Sequence, residues 1–556
     1  MLVYEAIGHT LQRLGVDTIF GLTGDGNLRF SSYMADELGI RLYAARHEGG
    51  AVAMADGYAR VSGRVGVASV TQGPGVTNTL TALTEAVRGN TPLLLLAGET
   101  PTGQRKHNQD LDQPAVYAAL GAGVQPLHGP DQAVRDVAQA FNRARLESRP
   151  IAISFPGDMQ GLECRPDGLE RVRPLQAPAS QPDAGSIERL CELIARAERP
   201  AILAGRGAVR SAAREALVGL AERIGAILAT TAQAKGLFAG DPFYIGSSGC
   251  FASPVGSRLL AQADLVLAFG ASLTLWTTRN REQYAASARL VQIDLRPAAL
   301  GAVTPVDEGF IGDARATAEA LAGELADRGL RKEGFRTPAV AQEIAGFRLD
   351  VFEDRSNGRT VDPRAVMIKL DRMLPRERTV VIDSGHSMGW APIYMSVPDA
   401  AAFVFSNDFM AVGLGLGNAF GAAIARPDRL TVVTPGDGGT MMSLGEVETF
   451  VRYDVPALIV VINDAAYGPE VHMLRAAGKS PEHALFGDVN FAAVACALGA
   501  QGLTIRDASQ LDQLGEWLAR PRGPMVVDCK VDPLQCADWL AALLEPGSWY
   551  RRLADG

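Results

Sequence analysis

Short apolar runs rich in Val, Ile and Leu alternate with longer helical patterns along almost the whole 556-residue chain. The runs DTIFGL, PLLLLAG and ALIVVIND are continuously apolar rather than alternating between apolar and polar positions. Continuous apolar strands are typical of parallel sheets in which helices cover both faces. The pattern therefore predicts an α/β fold built from doubly wound parallel sheets.

Two segments break this alternation. Residues 164–186 are rich in Pro and polar residues, and residues 330–362 are strongly charged and carry little strand signal. Both compositions are typical of connecting segments. They divide the chain into three α/β units, at residues 1–163, 187–328 and 345–540, which agrees with the roughly 100–200 residues of an average domain.

The composition excludes several classes of protein. The 53 Lys and Arg residues against 62 Asp and Glu give a net charge of −9, which does not suit binding to nucleic acid. The six Cys are scattered singly, which excludes a zinc ribbon or a disulfide framework and favours a reducing compartment. No apolar run reaches the ~18 residues of a membrane span, and the N-terminal pattern is not that of a signal peptide. We therefore expect a soluble cytoplasmic protein with no nucleic-acid or membrane partner.

The strongest local signal lies in the third unit, where the strand LTVVT runs into the turn Gly436-Asp437-Gly438-Gly439 and then into a helical pattern. Glycines at such a turn let backbone N–H groups approach a phosphate closely, and an Asp there can hold a divalent cation that bridges to it. The next strand ends at Asp464, 27 residues later, so the two acids should lie at the carboxyl ends of neighbouring strands. Either Asp alone is equally well explained as a turn or N-cap residue, but the pair favours a Mg²⁺–phosphate site.

Two further glycine turns follow predicted strands. In the first unit RHEGGAVAMADGYAR places Glu48 in a helical pattern of small residues, and ASVTQGPGVTN is a strand, a glycine turn and a helix start with Asn78. Glu48 alone is also explained as an acid at a helix N-terminus. In the second unit Gly205 and Gly207 follow a strand, but Arg210 stands where a dinucleotide fingerprint requires Gly or Ala, so a nicotinamide site has little support.

Taken together, these motifs resemble the thiamine-diphosphate enzymes of the acetolactate synthase and pyruvate decarboxylase superfamily, with acetolactate synthases the nearer group. GDGG followed by ND matches the family's cofactor signature, RHEGGAVAMADGYAR its segment around an activating glutamate, and TQGPGVTN its Gly-Pro-Gly turn. The resemblance covers nearly the whole chain. It implies that the three units are a pyrimidine-binding, a central Rossmann-like and a diphosphate-binding domain, in that order. It also implies a homodimer or homotetramer, because in this family the cofactor lies between subunits.

The resemblance assigns cofactor-binding roles. Asp437, Asp464 and the main-chain carbonyl of Ala466 would hold Mg²⁺, although Asp464 replaces the Asn of the family pattern. This extra negative charge would either strengthen cation binding or leave a surplus negative charge beside the diphosphate. Glu48 would hydrogen-bond the pyrimidine ring and promote the imino tautomer that acts as base, and Val412 would support the bent cofactor. The residues expected at the cofactor are Glu48, Gly73, Pro74, Asn78, Gly385, His386, Ser387, Val412, Gly436, Asp437, Gly438, Gly439, Asp464, Ala466 and Tyr467.

Other residues would meet the substrate. By resemblance, Asp25 in GDGN and Glu470 stand where pyruvate decarboxylases carry two catalytic acids. The histidine pair of those enzymes is absent, but His107 lies in the corresponding region, and Gln109 matches a Gln of acetolactate synthases. Each of these residues also has an ordinary explanation as a turn residue, a helix first-turn acid or a structural histidine. The expected catalytic residues are Glu48, Asp25, Glu470, His107 and Gln109, and two further histidines that could face the pocket are His386 and His472.

The resemblance implies a thiamine-diphosphate and Mg²⁺-dependent carboligase or lyase that acts on a 2-oxo acid or a related acyl donor. A simple 2-oxo-acid decarboxylase and a 2-hydroxyacyl-CoA lyase stay open as alternatives, and a non-catalytic cofactor-binding homologue is a further one. The central unit lacks the RFDDR-like run of flavin-binding synthases, so FAD is possible but not supported.

Overall fold

The computed structural model describes residues 1–104, 107–176 and 179–555, and it contains three sheets of six strands each. All of the strand pairs in these sheets are parallel. Most strands are buried along their whole length and alternate with helices. The predicted doubly wound α/β fold is therefore confirmed.

The first sheet has the strand order β2-β1-β3-β4-β6-β5. Its strands are β1 (Thr18–Gly21), β2 (Arg41–Ala44), β3 (Gly66–Val70), β4 (Leu93–Glu99), β5 (Gly123–Gln125) and β6 (Pro150–Pro156). The helices of this domain are α1 (Val3–Arg13), α2 (Leu28–Asp36), α3 (Glu48–Ser62), α4 (Pro74–Thr77), α5 (Leu80–Arg88), α6 (Gln113–Ala119), α7 (Ala133–Glu147) and α8 (Gly157–Gln160).

The central sheet has the order β12-β11-β10-β7-β8-β9. Its strands are β7 (Pro200–Ala204), β8 (Ile227–Thr230), β9 (Tyr244–Ser247), β10 (Leu265–Phe269), β11 (Arg289–Asp294) and β12 (Glu308–Ile311). The helices are α9 (Ala184–Arg196), α10 (Arg206–Arg210), α11 (Arg214–Ile224), α12 (Pro254–Leu260), α13 (Leu275–Thr278), α14 (Ala314–Asp327) and α15 (Pro338–Gly346). Helix α15 lies inside the charged segment at 330–362, so this segment is not purely a connection.

The third sheet has the order β14-β13-β15-β16-β18-β17. Its strands are β13 (Arg378–Ile382), β14 (Phe403–Phe405), β15 (Leu430–Thr434), β16 (Ala457–Asn463), β17 (Gln501–Ile505) and β18 (Pro524–Lys530). The helices are α16 (Pro363–Met373), α17 (Trp390–Tyr394), α18 (Gly415–Ala425), α19 (Asp437–Met442), α20 (Gly445–Arg452), α21 (Gly468–Ala476), α22 (Phe491–Ala497), α23 (Gly515–Ala519), α24 (Asp538–Leu544) and α25 (Trp549–Asp555).

The first and third sheets share one topology, with their strands in the same relative order. In each of them the order reverses between the first and the third strand of the domain, which are β1 and β3 in one and β13 and β15 in the other. Open α/β sheets bind ligands in the crevice beyond the carboxyl ends of the strands at such a reversal. The fold therefore offers one crevice on each of these domains.

Helices α3 and α18 join the two domains through a shared hydrophobic core. Their contact uses glycines, since a Cβ atom added at Gly421 would lie 1.8 Å from the carbonyl oxygen of Met54, and one added at Gly57 would lie 2.1 Å from that of Asn418. Only residues without a Cβ allow the two backbones to come this close. The contact fixes the orientation of α3, and with it the position of Glu48 at its first turn.

None of the helices in the described part of the chain is long and apolar enough to cross a membrane.

Candidate active site

Two buried acids face each other at the crevice of the third sheet. Asp437 is the first residue of α19 and follows β15, while Asp464 follows the adjacent strand β16, as their spacing predicted. The side chains are 6% and 5% exposed. Burial raises the pKa of both acids to about 7, helped at Asp437 by the charge of Asp464 and at Asp464 by the charge of Glu470. The backbone N–H of Ala466 donates to this pair, which otherwise holds an excess of negative charge.

His386 lies beside the acid pair at the carboxyl end of β13. Its Nδ1 is 3.3 Å from Oδ2 of Asp464, and its Nε2 accepts a hydrogen bond from the backbone N–H of Ala537 at 2.9 Å. Burial lowers the pKa of His386 to about 4, so the ring is neutral and Nδ1 carries the proton toward Asp464. His472 and Cys536 are close enough to form a potential metal-ligand group with His386, but both ring nitrogens of His386 are already engaged.

Val412 lies against the glycine turn of the third domain. Its Cγ1 would be 3.2 Å from a Cβ atom added at Gly439. Asp383 holds the segment that follows Val412, because its carboxylate accepts a hydrogen bond from the backbone N–H of Gly413 at 3.0 Å. Asp383 is fully buried, and burial raises its pKa to about 6. The position of Val412 is therefore determined by a buried acid that the sequence motifs did not single out.

Tyr467 and Glu470 mark the outer side of the same crevice. Tyr467 is 42% exposed, stacks edge-on against Phe486, and approaches within 2.9 Å of a Cβ atom added at Gly438. Glu470 lies in the first turn of α21 and is exposed, and its charge acts on both His386 and Asp464. The third domain thus brings the predicted residues from Gly385 to Glu470 together around one turn.

Glu48 forms the centre of a second cluster, on the first domain. It begins α3, whose N-cap residue His47 accepts a hydrogen bond from the backbone N–H of Gly49. The carboxylate of Glu48 is buried and accepts a hydrogen bond from Nδ2 of Asn78 at 2.9 Å. Asn78 follows the short helix α4, which the turn at Gly73 and Pro74 begins. The predicted residues Glu48, Gly73, Pro74 and Asn78 therefore share one site.

Asp25 and Gln109 are joined by a residue that the sequence analysis did not consider. Nε2 of Gln72 donates to Oδ1 of Asp25 at 3.0 Å and to Oε1 of Gln109 at 2.7 Å. Nδ1 of His107 accepts a hydrogen bond from the backbone N–H of Gln109 at 3.2 Å, which places His107 in the same loop. These residues follow β1, β3 and β4 and so lie at the crevice of the first sheet.

Within residues 1–104, 107–176 and 179–555, no hydrogen bond or ion pair joins the predicted site residues of the first domain to those of the third. Other residues make the polar contacts between these domains, among them Arg60 with Asp408 and the buried acid Glu446. Glu446, in the first turn of α20, is buried and accepts hydrogen bonds from the backbone N–H groups of Arg46 and His47 at 3.1 and 3.2 Å. It therefore fixes the chain directly before Glu48, and burial raises its pKa.

The glycines that follow β7 in the central domain have a packing role. A Cβ atom added at Gly205 would lie 2.3 Å from the carbonyl oxygen of Gly270, and one added at Gly207 would lie 2.7 Å from its Cα. Nearby, Arg206 donates to the carbonyl oxygen of Gly89 in the first domain at 2.6 Å. This end of the central sheet is therefore occupied by contacts within the chain.

Comparison with known proteins identifies the family of this chain. Residues 1–117 match the model of the thiamine pyrophosphate enzyme N-terminal TPP binding domain, 187–321 that of the central domain, and 383–529 that of the C-terminal TPP binding domain. The chain belongs to the thiamine pyrophosphate enzyme family. The family assignment made from the sequence motifs is therefore confirmed.

Relatives within the family carry different activities in their names. A sulfoacetaldehyde acetyltransferase of Alcaligenes xylosoxydans xylosoxydans is 30% identical over 90% of this chain and 87% of its own length. A probable 2-ketoarginine decarboxylase of Pseudomonas aeruginosa is also 30% identical, over 92% of this chain and 90% of its own length. The structure of a Rhodococcus jostii thiamine diphosphate-dependent 4-hydroxybenzoylformate decarboxylase superposes with a TM-score of 0.81 at 23% identity, covering 96% of this chain and 99% of that one.

The residues of the third domain fit the diphosphate end of the family's cofactor. The hydroxyl of Ser387 is buried and has no hydrogen-bond partner among the described residues, and it lies near Gly436 of the turn. Gly385 borders open space at a φ of +93°, which leaves room for a group close to the backbone. An unpaired buried donor, an open cradle and a pair of mutually repelling acids are what a diphosphate with a divalent cation would satisfy.

Three residues that position the site were missed by sequence reasoning: Gln72, Asp383 and Glu446. Each is polar and buried, and Gln72 and Asp383 stand at the end of an apolar strand. That position is a usable signal, because buried polar side chains need partners. Glu446 gave no such signal, since an acid in the first turn of a helix is ordinary.

Proposed function

We propose that this enzyme depends on thiamine diphosphate and Mg²⁺ and forms or cleaves a carbon–carbon bond next to the carbonyl group of a 2-oxo acid or related acyl donor. The observation that carries this proposal is the buried pair of Asp437 and Asp464 at the ends of adjacent strands. Two buried carboxyls in contact need a cation, and hard oxygen ligands suit Mg²⁺. Ala466, whose main chain adjoins the pair, completes the proposed ligand set.

Bound thiamine diphosphate supplies a nucleophilic carbon that adds to the substrate carbonyl. The chain would hold this group at both ends. The turn from Gly436 to Gly439, with Ser387 and His386, would hold the diphosphate, and Val412 and Tyr467 would support the middle of the cofactor. Glu48, fixed by Asn78, would hydrogen-bond a ring nitrogen and so control the proton at that nitrogen.

Among the reactions open to the family, we favour carboligation, in which the acyl group passes to a second carbonyl compound. One relative is named an acetyltransferase that acts on an aldehyde, sulfoacetaldehyde. Gln109, held by Gln72, offers an amide to a second substrate rather than a proton. An acetolactate-synthase-like reaction on another acceptor follows from this arrangement.

A second candidate is simple decarboxylation, because two exposed acids stand at the two crevices. Asp25 and Glu470 are both exposed in the single chain, and in this alternative they would donate a proton to the product. A relative named as a 2-ketoarginine decarboxylase favours this alternative.

We also propose that the site is completed by a second copy of the chain. The clusters around Glu48 and Asp437 lie on different domains, and large apolar side chains around the second cluster are exposed in the single chain. These are Phe409, Met410, Met441, Met442 and Phe486, each more than 40% exposed. Such a patch is typical of an interface, and a homodimer would cover it twice.

The assembly is tested by mixing two inactive variants, Glu48→Gln and Asp437→Asn, after unfolding and refolding them together. If sites form between chains, a mixed dimer carries one intact and one doubly defective site, so the mixture regains about a quarter of the wild-type activity. If each chain holds its own complete site, the mixture stays inactive.

The reaction is tested by incubating the enzyme with a panel of 2-oxo acids, with and without aldehyde acceptors, while CO₂ and products are followed. Carboligation predicts that an acceptor raises the yield of a coupled product, whereas decarboxylation predicts free aldehyde with either mixture. Glu48→Gln should still bind thiamine diphosphate but lose most turnover. Undiminished turnover in that variant would contradict the proposed mechanism.

The boundaries of the three domains at 1–163, 187–328 and 345–540 and a cytoplasmic location are parts of this proposal. Every strand of the three sheets lies inside the proposed boundaries.

A further inference from the structure

Gln72 is nearly fully buried, at 3% exposed, although its side chain makes only polar contacts with its neighbours at the first crevice. Its amide nitrogen donates both of its protons, to Oδ1 of Asp25 and to Oε1 of Gln109. Its amide oxygen accepts a hydrogen bond from the hydroxyl of Thr71 at 2.9 Å. Every polar atom of this side chain therefore has a partner.

These contacts determine which end of each amide is nitrogen. The NH₂ group of Gln72 is the end of its amide that faces Asp25, whose carboxyl oxygen Oδ1 accepts the hydrogen bond. The second proton of that NH₂ group then requires an acceptor, which is Oε1 of Gln109. With its oxygen engaged, Gln109 is left with its own NH₂ group, and no hydrogen bond among the described residues uses it.

Close backbone packing surrounds the Gln72 amide, while its hydrogen bonds decide which end is nitrogen. A Cβ atom added at Gly26 would lie 1.6 Å from Oε1 of Gln72, so the backbone of Gly26 lies directly on the amide. Likewise a Cβ atom added at Gly73, which has a φ of +58°, would lie 2.5 Å from the carbonyl oxygen of Gln109. Both glycines allow a contact that any side chain would prevent.

We propose that Gln72 is a positioning residue that orients Gln109 so that its NH₂ group faces the substrate and donates there to a hydrogen-bond acceptor, such as an oxygen of a carboxylate or sulfonate. The proposal rests on the proposed function only in taking this crevice as the substrate side of the active site. The oxyanion could belong to the acyl donor or to the acceptor, and both would be recognised by the same donated hydrogen bond.

The test uses oxalate, an unreactive oxyanion, as a probe for the protein loaded with thiamine diphosphate and Mg²⁺. In Gln72→Glu the residue at 72 can only accept, so Gln109 must turn its NH₂ group inward and present its oxygen to the ligand. We expect the dissociation constant of oxalate, measured by isothermal titration calorimetry, to rise about tenfold to a hundredfold. Gln132→Glu, an exposed change on the same domain, adds the same charge and should leave oxalate binding unchanged.

A double-mutant cycle separates the orientation effect from the added charge. If Gln72 acts through Gln109, then Gln72→Glu has no further effect in a Gln109→Leu background. The proposal would be overturned if Gln72→Glu lowered the affinity for oxalate equally in the wild-type and Gln109→Leu backgrounds. It would also be overturned if the wild-type protein did not bind oxalate. Gln72→Met, which adds no charge, should weaken oxalate binding severalfold and serves as the variant to measure if Gln72→Glu does not fold.

Kinetics with the donor and acceptor found in the panel assign the oxyanion. If Gln72→Glu raises the KM of one substrate but changes kcat with a neutral acceptor such as acetaldehyde less than threefold, then that substrate is the one that Gln109 binds. An equal fall in kcat for charged and neutral substrates contradicts the proposal. Because oxalate binding does not depend on turnover, it tests the role of Gln72 even if the proposed reaction is wrong.

Discussion

Replacing Asp464 with Asn tests the most unusual feature of the site, the second acid beside Asp437. In the cation-free protein both carboxyls have a pKa raised from 3.8 to about 7, because they are buried and close to each other. Two like charges about 4 Å apart repel by about 4 kcal/mol at the effective dielectric constant of a protein. Burial is the largest cause of both shifts, and the charge of Asp464 adds to it at Asp437. Asp464→Asn removes this repulsion while it keeps the shape of the side chain.

The pH dependence follows from the direction of these shifts. A carboxyl whose pKa is higher in the folded than in the unfolded protein stabilises the fold below pH 4, and this contribution is lost as the pH rises to about 7. The cation-free wild-type protein should therefore become less stable between pH 4 and pH 7. Asp464→Asn should be about as stable as wild type at pH 5, where both acids are protonated, and more stable by up to about 4 kcal/mol at pH 8.

The affinity for Mg²⁺ should rise with pH, whereas the stability of the cation-free protein falls. Below pH 7 the cation must displace a proton from the pair, so the affinity of the wild-type protein should fall up to about tenfold for each pH unit. Mg²⁺ binding to Asp464→Asn should depend on pH less steeply, because the remaining acid loses the charge of its neighbour although it stays buried. The variant should thus bind Mg²⁺ more weakly than wild type at pH 8, and the two should approach each other at pH 6.

The measurement is a Mg²⁺ titration by calorimetry at pH 6, 7 and 8 with saturating thiamine diphosphate, together with urea unfolding of the cation-free proteins. Comparing the two proteins at each pH cancels the ionisation of the cofactor itself. Asp454→Asn, an exposed acid whose backbone conformation suits Asn, is the matched control and should follow wild type. Parallel pH profiles for wild type and Asp464→Asn would refute the reasoning.

Other substitutions test the packing, the substrate side and the contact between domains. Gly421→Ala adds a Cβ atom 1.8 Å from the carbonyl oxygen of Met54. It should lower the unfolding free energy, measured in urea, by about 1–3 kcal/mol or more. The control Gly323→Ala, whose Cβ atom meets open space in α14, should not lower it. In a decarboxylase, Glu470→Gln should slow product formation more than CO₂ loss in single-turnover measurements, and equal slowing would contradict its role as a proton donor. Burial raises the pKa of Glu85 from 4.5 to about 7. The stability of wild type relative to Glu85→Gln should therefore decline as the pH rises from 4.5 to 7. A stability difference that does not change with pH would contradict this.

The sequence was sufficient for the parts of the site that depend on strand order. The spacing of Asp437 and Asp464 placed them on adjacent strands, because one helix and one strand fit between them and parallel strands end at the same edge. The contacts of Gln72 could not be predicted from the sequence. They join it to Asp25 and Gln109, which are 47 and 37 residues away, through rotamers that no local pattern encodes. Glu446 shows the limit most clearly, because its partners lie about 400 residues earlier in the chain. Long-range contacts of this kind depend on how whole domains pack.

The shared topology of the first and third domains explains why each carries only half of the site. Helices α3 and α18 each follow the second strand of their sheet, so the two domains associate through equivalent helices and bury them in one core. The crevice on the first domain is lined by amides and Glu48, and the crevice on the third by acids and glycines. The same fold would thus bind different ends of one elongated cofactor, because only the residues beyond the strand ends differ. In the proposed assembly α3 and α18 fill the contact within a chain, and the apolar patch of Phe409, Met410, Met441, Met442 and Phe486 would face the first domain of a second chain.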